Sequence, residues 1–135
     1  MLIEKLEEYI KIVSEIDDYG SLIEWINSLA RKLEVDPSIR TPENYVYGCQ
    51  VSTWISCTIQ NNKIIFSFDS DSNVTKGVVK ILLDVINGAS IHEIKKLTFY
   101  DFRQIVAKLP TERQKTLQII LNKAHELIKQ TGDTQ

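Results

Sequence analysis

Along the first third of the chain, apolar residues recur at helical spacing. Leu2, Leu6, Tyr9, Ile10, Val13 and Ile16 form one stripe. Gly20 interrupts it, and Ser21-x-x-Glu24 reads as a capping box, with Asp17 or Asp18 as earlier starting points. The second helix this opens carries Leu22, Trp25, Ile26, Leu29 and Leu33 on its buried face. Asp36-Pro37-Ser38 and Thr41-Pro42-Glu43-Asn44 are turn chemistry. The period then changes to two. Val51, Thr53, Ile55, Cys57 and Ile59 alternate with Ser52, Trp54, Ser56 and Thr58, as in a strand. Asn61-Asn62 suits a tight hairpin, since Asn tolerates positive φ. Ile64, Phe66 and Phe68 alternate with Ile65, Ser67 and Asp69 on the returning strand, and Tyr45-Val46-Tyr47 reads as a further short strand.

Asp69-Ser70-Asp71-Ser72-Asn73 offers several N-caps for a third helix, with Val74, Val78, Ile81, Leu82 and Val85 on one face. Gly88 stops it from the position after the C-cap. Ser90 and Glu93 cap a short helix, and Thr98 and Asp101 open another through Phe102, Ile105 and Val106. Pro110 starts the last helix, which carries Leu117, Ile120, Leu121, Ala124 and Leu127. The tail from about residue 130 is polar and reads as frayed.

Helices, then a small antiparallel sheet, then helices: segregated runs of this kind predict an α+β fold. The chain of 135 residues is the usual size of one domain, and it has no internal repeat or linker, so residues 1–135 read as a single unit.

Composition narrows the function. A net charge of −2 argues against general nucleic-acid binding, which needs a basic face to displace counterions. No apolar run is long enough to span a membrane. The start, Met1-Leu2-Ile3-Glu4-Lys5, is not a signal peptide, so the expected compartment is the cytoplasm, where thiols stay reduced. Cys49, Cys57, His92 and His125 do not have the spacing of a zinc site, and no metal site is expected. The acidic run from Asp69 lacks the glycine and distal glutamate of a calcium loop, so capping explains it better.

One segment stands apart. Tyr47-Gly48-Cys49-Gln50 places a thiol next to a glycine, between turns and a strand. A loop tip there would give the sulfur access to a partner, and Gly48 can take backbone angles closed to other residues. A small buried hydrophobe is the competing reading of Cys49, and spacing alone favours that. Cys57 shares a face with Ile55 and reads as core. A Cys49–Cys57 disulfide is not expected, because the intervening extended chain would span about 26 Å, whereas the Cα atoms of a disulfide lie within about 7 Å. Arg113 falls in the first turn of the last helix, where the dipole disfavours a cation, so a specific partner is suspected for it.

Four segments in order resemble the SufE family. They are Gly48-Cys49-Gln50-Val51-Ser52-Thr53-Trp54, Asp69-Ser70-Asp71, Lys76-Gly77 and Leu109-Pro110-Thr111-Glu112-Arg113. Arg40-Thr41-Pro42-Glu43-Asn44-Tyr45-Val46 resembles the family's approach to its cysteine. The resemblance runs from about Trp25 to the last helix. Val51 stands where the family usually has serine, Thr53 where it has valine, and Lys115-Thr116 where an Asn-Gly pair is common.

The resemblance implies an α+β fold of SufE/IscU type, with helices covering one side of the sheet. It implies an accessory protein of sulfur transfer rather than a stand-alone enzyme. Cys49 would accept persulfide sulfur from a cysteine desulfurase, stimulate that enzyme, and pass the sulfur to an iron–sulfur cluster scaffold complex. Gly48, Gln50, Asp71 and Arg113 would form the loop and partner surface. The chain would have no cofactor of its own, and the pyridoxal phosphate would belong to the desulfurase. A single-cysteine redox sensor acting through sulfenic acid is one rival. A non-catalytic adaptor of the same fold is another. A cluster scaffold fits poorly, since such clusters take about four cysteine ligands and the chain has two cysteines.

Overall fold

The computed structural model describes residues 2–61 and 63–133. Its elements run α1 (Leu2–Ser14), α2 (Tyr19–Lys32), β1 (Thr53–Gln60), β2 (Lys63–Ser70), α3 (Asn73–Ile86), α4 (Ile91–Lys96), α5 (Arg103–Val106) and α6 (Thr111–Asp133). Short 3₁₀ turns at Pro37–Ile39, Pro42–Asn44 and Phe99–Phe102 join them. The architecture is the α+β class expected from the sequence, with a two-stranded antiparallel sheet among helices.

The hairpin pairs Thr53 with Ser70 at one end and Gln60 with Lys63 at the other. Asn61 makes the turn with a φ of 53°; Asn62 lies outside the described residues. Ile55, Ile64, Phe66 and Phe68 share the inner face and are buried. The outer edge of β2 is not left open. The Asn87 side chain accepts from the Phe66 N–H (2.8 Å) and donates to its carbonyl (3.2 Å), so an amide stands in for a neighbouring strand.

The centre of the molecule is α3. It is buried on most of its surface because α1, α2, α6 and β2 all pack on it. Ser72 N-caps it, chosen among the candidate caps because Asp69 and Ser70 belong to β2. Gly88 follows its C-cap Asn87 with a φ of 85°. The capping box of Ser90 and Glu93 forms as read from the sequence. Among the described residues, no helix is long and apolar enough to cross a membrane.

Several expectations change. The cap of α2 is Asp18, one of the earlier starting points, and not Ser21. The Asp18 carboxylate takes both the N–H (2.9 Å) and the hydroxyl (2.8 Å) of Ser21, which leaves Ser21 inside the first turn. β1 starts at Thr53, so Val51 belongs to the preceding loop. Tyr45 makes a lone bridge to Trp54 instead of a strand. Cys57, opposite the buried Phe66, packs against the core but is only half-buried, beside the last turns of α6. There its Sγ lies 3.9 Å from the Thr131 hydroxyl, and α6 stays helical to Asp133.

Candidate functional site

The chain approaches Cys49 through two proline turns. The Asp36 side chain accepts from the Ser38 N–H at 3.0 Å and caps the first. The Asn44 amide donates to the Ile39 carbonyl at 3.0 Å and ties the second to it. The loop that follows is fastened at both feet. At one, the Val46 N–H donates to the Thr53 carbonyl at 2.9 Å. At the other, the Ser52 carbonyl accepts from the Asp71 N–H (3.1 Å) and the Ser70 hydroxyl (3.2 Å). Between the feet, Tyr47, Gly48 and Gln50 are exposed. Gly48 has a φ of 101°, a left-handed conformation costly to any residue with a Cβ. Cys49 lies against the edge of the hydrophobic core. The two readings of this cysteine merge: it rides on an exposed loop, yet it is half-buried and packs against the core.

Beneath the loop lies a charged and aromatic cluster. Alternation with Phe68 puts Asp69 on the outward face with Trp54. It does share that face, but it is buried, with 4% of its side chain exposed. Two cations, one from the proline turns and one from α3, cover it. Arg40 donates from Nε to Asp69 at 2.7 Å and from Nη1 to Asp71 at 2.8 Å. Lys76 Nζ lies 3.7 Å from Asp69. The Arg40 guanidinium also stacks 4.3 Å from the centre of the Trp54 ring. Tyr45 packs edge-on against Trp54, and Tyr47 against Tyr45, with ring centres 5.8 and 4.9 Å apart. Burial alone would raise the pKa of Asp69, but the Arg40 and Ser70 hydrogen bonds and the Arg40 and Lys76 charges outweigh it and hold the carboxyl below its ordinary range. Asp71 itself is half-exposed.

Arg113 has the partner its position called for. Its Nη1 donates to the hydroxyl of Thr75 at 3.1 Å, and Thr75 is fully buried in the first turn of α3. Arg113 thus ties the start of α6 to the start of α3; its one side-chain hydrogen bond among the described residues does not go to the cysteine loop. Asp71 sits at the loop's foot, and Gly48, Cys49 and Gln50 form the loop itself. Sequence reasoning misses Arg40, Asp69 and Lys76 as site residues. Their signal is present in the family-like segments, where an aspartate inside an apolar strand needs a cation and Arg40 and Lys76 flank the sheet in sequence. Thr53 is wholly buried, and its hydroxyl has no partner among the described residues. His125 donates from Nε2 to the Ile94 carbonyl at 3.1 Å, a packing role, and His92 is exposed. Among the described residues, no cluster of His, Cys, Asp or Glu is placed to hold a metal ion.

A family model described as "SufE: Fe-S metabolism associated domain" matches residues 6–128. A chloroplastic quinolinate synthase of Nicotiana tabacum is 31% identical over 99 residues, 67% of this chain. This chain spans only 14% of that protein's length. An uncharacterised SufE-like protein of Rhizobium etli is 28% identical over 96% of this chain and 93% of its own length. The solution structure of a hypothetical protein from Thermus thermophilus shares the fold, with a TM-score of 0.77 at 14% identity over 93% of this chain and 94% of that one.

Proposed function

This chain belongs to the SufE family, and on that premise we propose that it is a sulfur carrier whose Cys49 accepts sulfur from a cysteine desulfurase. In the transfer, the Cys49 thiolate attacks the outer sulfur of a persulfide on the desulfurase. A new S–S bond forms at Cys49, the old one breaks, and the desulfurase cysteine leaves as a thiolate. No net oxidation or reduction occurs. By clearing the persulfide the chain stimulates the desulfurase, and it then hands the sulfur to an iron–sulfur cluster scaffold. The pyridoxal phosphate is the desulfurase's, and this chain needs no cofactor. The setting is the cytoplasm.

The observation that carries this reading is the placement of Cys49: a half-buried cysteine packed on the core, on a loop pinned at both feet, with exposed residues on either side. A sulfur held there is protected from reductants between encounters. Transfer then requires the loop to swing outward, and the left-handed Gly48 is where the backbone can turn. The exposed Tyr47, Gly48 and Gln50, with Asp71 and Arg113, form the surface that meets the desulfurase.

The test is desulfurase turnover with and without this protein. The account expects stimulation by the wild type, none by Cys49→Ser, and weakened stimulation by Asp71→Lys and Arg113→Glu in folded protein. Full stimulation by Cys49→Ser would refute it. Oxidation of Cys49 by peroxide, with no response to the desulfurase, would favour a redox sensor instead.

A further inference from the structure

We propose that Arg40 is a positioning residue for Cys49: it braces both feet of the sulfur loop from one guanidinium, and Asp71 is the point where a docking partner releases that brace. This rests on the sulfur-carrier reading and names how its loop is held.

Three contacts converge on Arg40. Its Nε is bound to Asp69, its Nη1 to Asp71, and its flat face lies on Trp54. Each leads to the loop. Asp71 holds the Ser52 carbonyl through its backbone N–H. Trp54 carries the bridge to Tyr45, and Tyr45 carries the ring of Tyr47, next to Gly48. Arg40 comes from the proline turns, far in sequence from β2, so it also fixes those turns to the sheet. A planar fork is pre-shaped to serve two carboxylates and an aromatic face at once; a lysine's ammonium has three donors but neither the fixed fork nor the flat face.

The two carboxylates are unequal. Asp69 is buried and also has Lys76 at 3.7 Å, so it keeps a cation whatever happens at the surface. Asp71 is half-exposed and has Arg40 as its ion-pair partner among the described residues. A lysine or arginine of a docking protein can therefore take Asp71 without leaving a buried charge unpaired. Arg40 would stay on Asp69, and the foot at Ser52 would lose its brace. The surface charge that recognises the partner is thus also the latch of the loop.

The measurement is the alkylation rate of Cys49 in the free, full-length protein, with Cys57 read in the same sample. Cys57 lies in the middle of β1, paired with Phe66 and away from the loop's feet at Ser52 and Thr53, so general loosening raises both rates and loss of the brace raises only that of Cys49. Arg40→Met should speed alkylation of Cys49 about tenfold, equivalent to roughly 1.4 kcal/mol of holding free energy, while Cys57 stays near its wild-type rate. Arg40→Lys should recover part of the protection. Should Arg40→Met fail to fold because Asp69 is stranded, the double variant Arg40→Met with Asp69→Asn removes both charges and carries the comparison. An unchanged Cys49 rate, or Cys49 and Cys57 rising in step, overturns the proposal. No desulfurase is used, so a loop that loosens in a protein that never accepts sulfur would sink the carrier reading and leave the brace standing.

Discussion

Gly77 is where the packing of this fold is least forgiving. It lies buried on α3 where that helix crosses α2. A methyl group on its Cα would sit 2.1 Å from the Ile26 carbonyl oxygen, 2.8 Å from its carbonyl carbon and 2.6 Å from its Cγ2. Two of these obstacles are backbone, and Ile26 is itself fully buried, so no side-chain rotation can make room. The helices must part by more than about 1 Å, which opens voids along a close-packed contact. Overpacking of this kind costs about 1–3 kcal/mol, and a backbone obstacle places it at the upper end. Alanine returns about 1 kcal/mol of helix propensity. Gly77→Ala should therefore destabilise the protein by about 2 kcal/mol net. At roughly 4 °C per kcal/mol for a domain of this size, the thermal midpoint should fall by about 8 °C. Urea and thermal unfolding followed by circular dichroism measure both. A variant within about 0.5 kcal/mol of wild type, the range of ordinary surface changes, would show that the α2–α3 crossing is looser than described and that this reasoning is wrong.

Two further outcomes follow from buried polar groups. Thr53→Val removes a hydroxyl that is buried without a partner among the described residues and keeps the shape, so it should raise stability by about 1 kcal/mol; a loss of stability in urea unfolding would mean the hydroxyl is satisfied in solution. Asp69 has a lowered pKa in the folded state, so its stabilisation is present above the unfolded value near pH ~3.9 and disappears as pH falls through the lower folded value. Acid unfolding of Asp69→Asn should accordingly be less steep below about pH 4 than that of wild type; identical slopes would remove Asp69 from the acid response.

Local signals are legible where a residue acts on its own neighbours. The capping box at Ser90, the stop at Gly88 and the turn at Asn61 follow from short-range chemistry and appear where the pattern puts them; Ser72 is one of the several caps on offer, and the α1 stripe holds to Val13 but not to Ile16, since the helix ends at Ser14. The misreadings are of long-range origin. Period-two alternation assigns Asp69 the correct face but not its burial, because the cover comes from Arg40, 29 positions away in sequence. Cys57 reads as core because its face is apolar; it does pack against the core opposite Phe66, but it stays half-buried beside Thr131 of α6, 74 positions away in sequence. Electrostatics point to a partner for Arg113, but Thr75 is 38 positions distant and invisible to spacing. Cys49 can be singled out from its glycine and flanking turns; that it packs against the core cannot, since that core is assembled from other elements.

The central claim is that sulfur resides on Cys49. Its most direct measurement is mass spectrometry of the intact protein after incubation with a cysteine desulfurase and free cysteine, followed by peptide mapping. The account predicts a mass increase of one sulfur atom, reversible by a thiol reductant and located on the peptide containing Cys49. Cys57→Ser should gain the same sulfur, and Cys49→Ser should gain none. Sulfur found on Cys57, or loading that persists in folded Cys49→Ser, would contradict it.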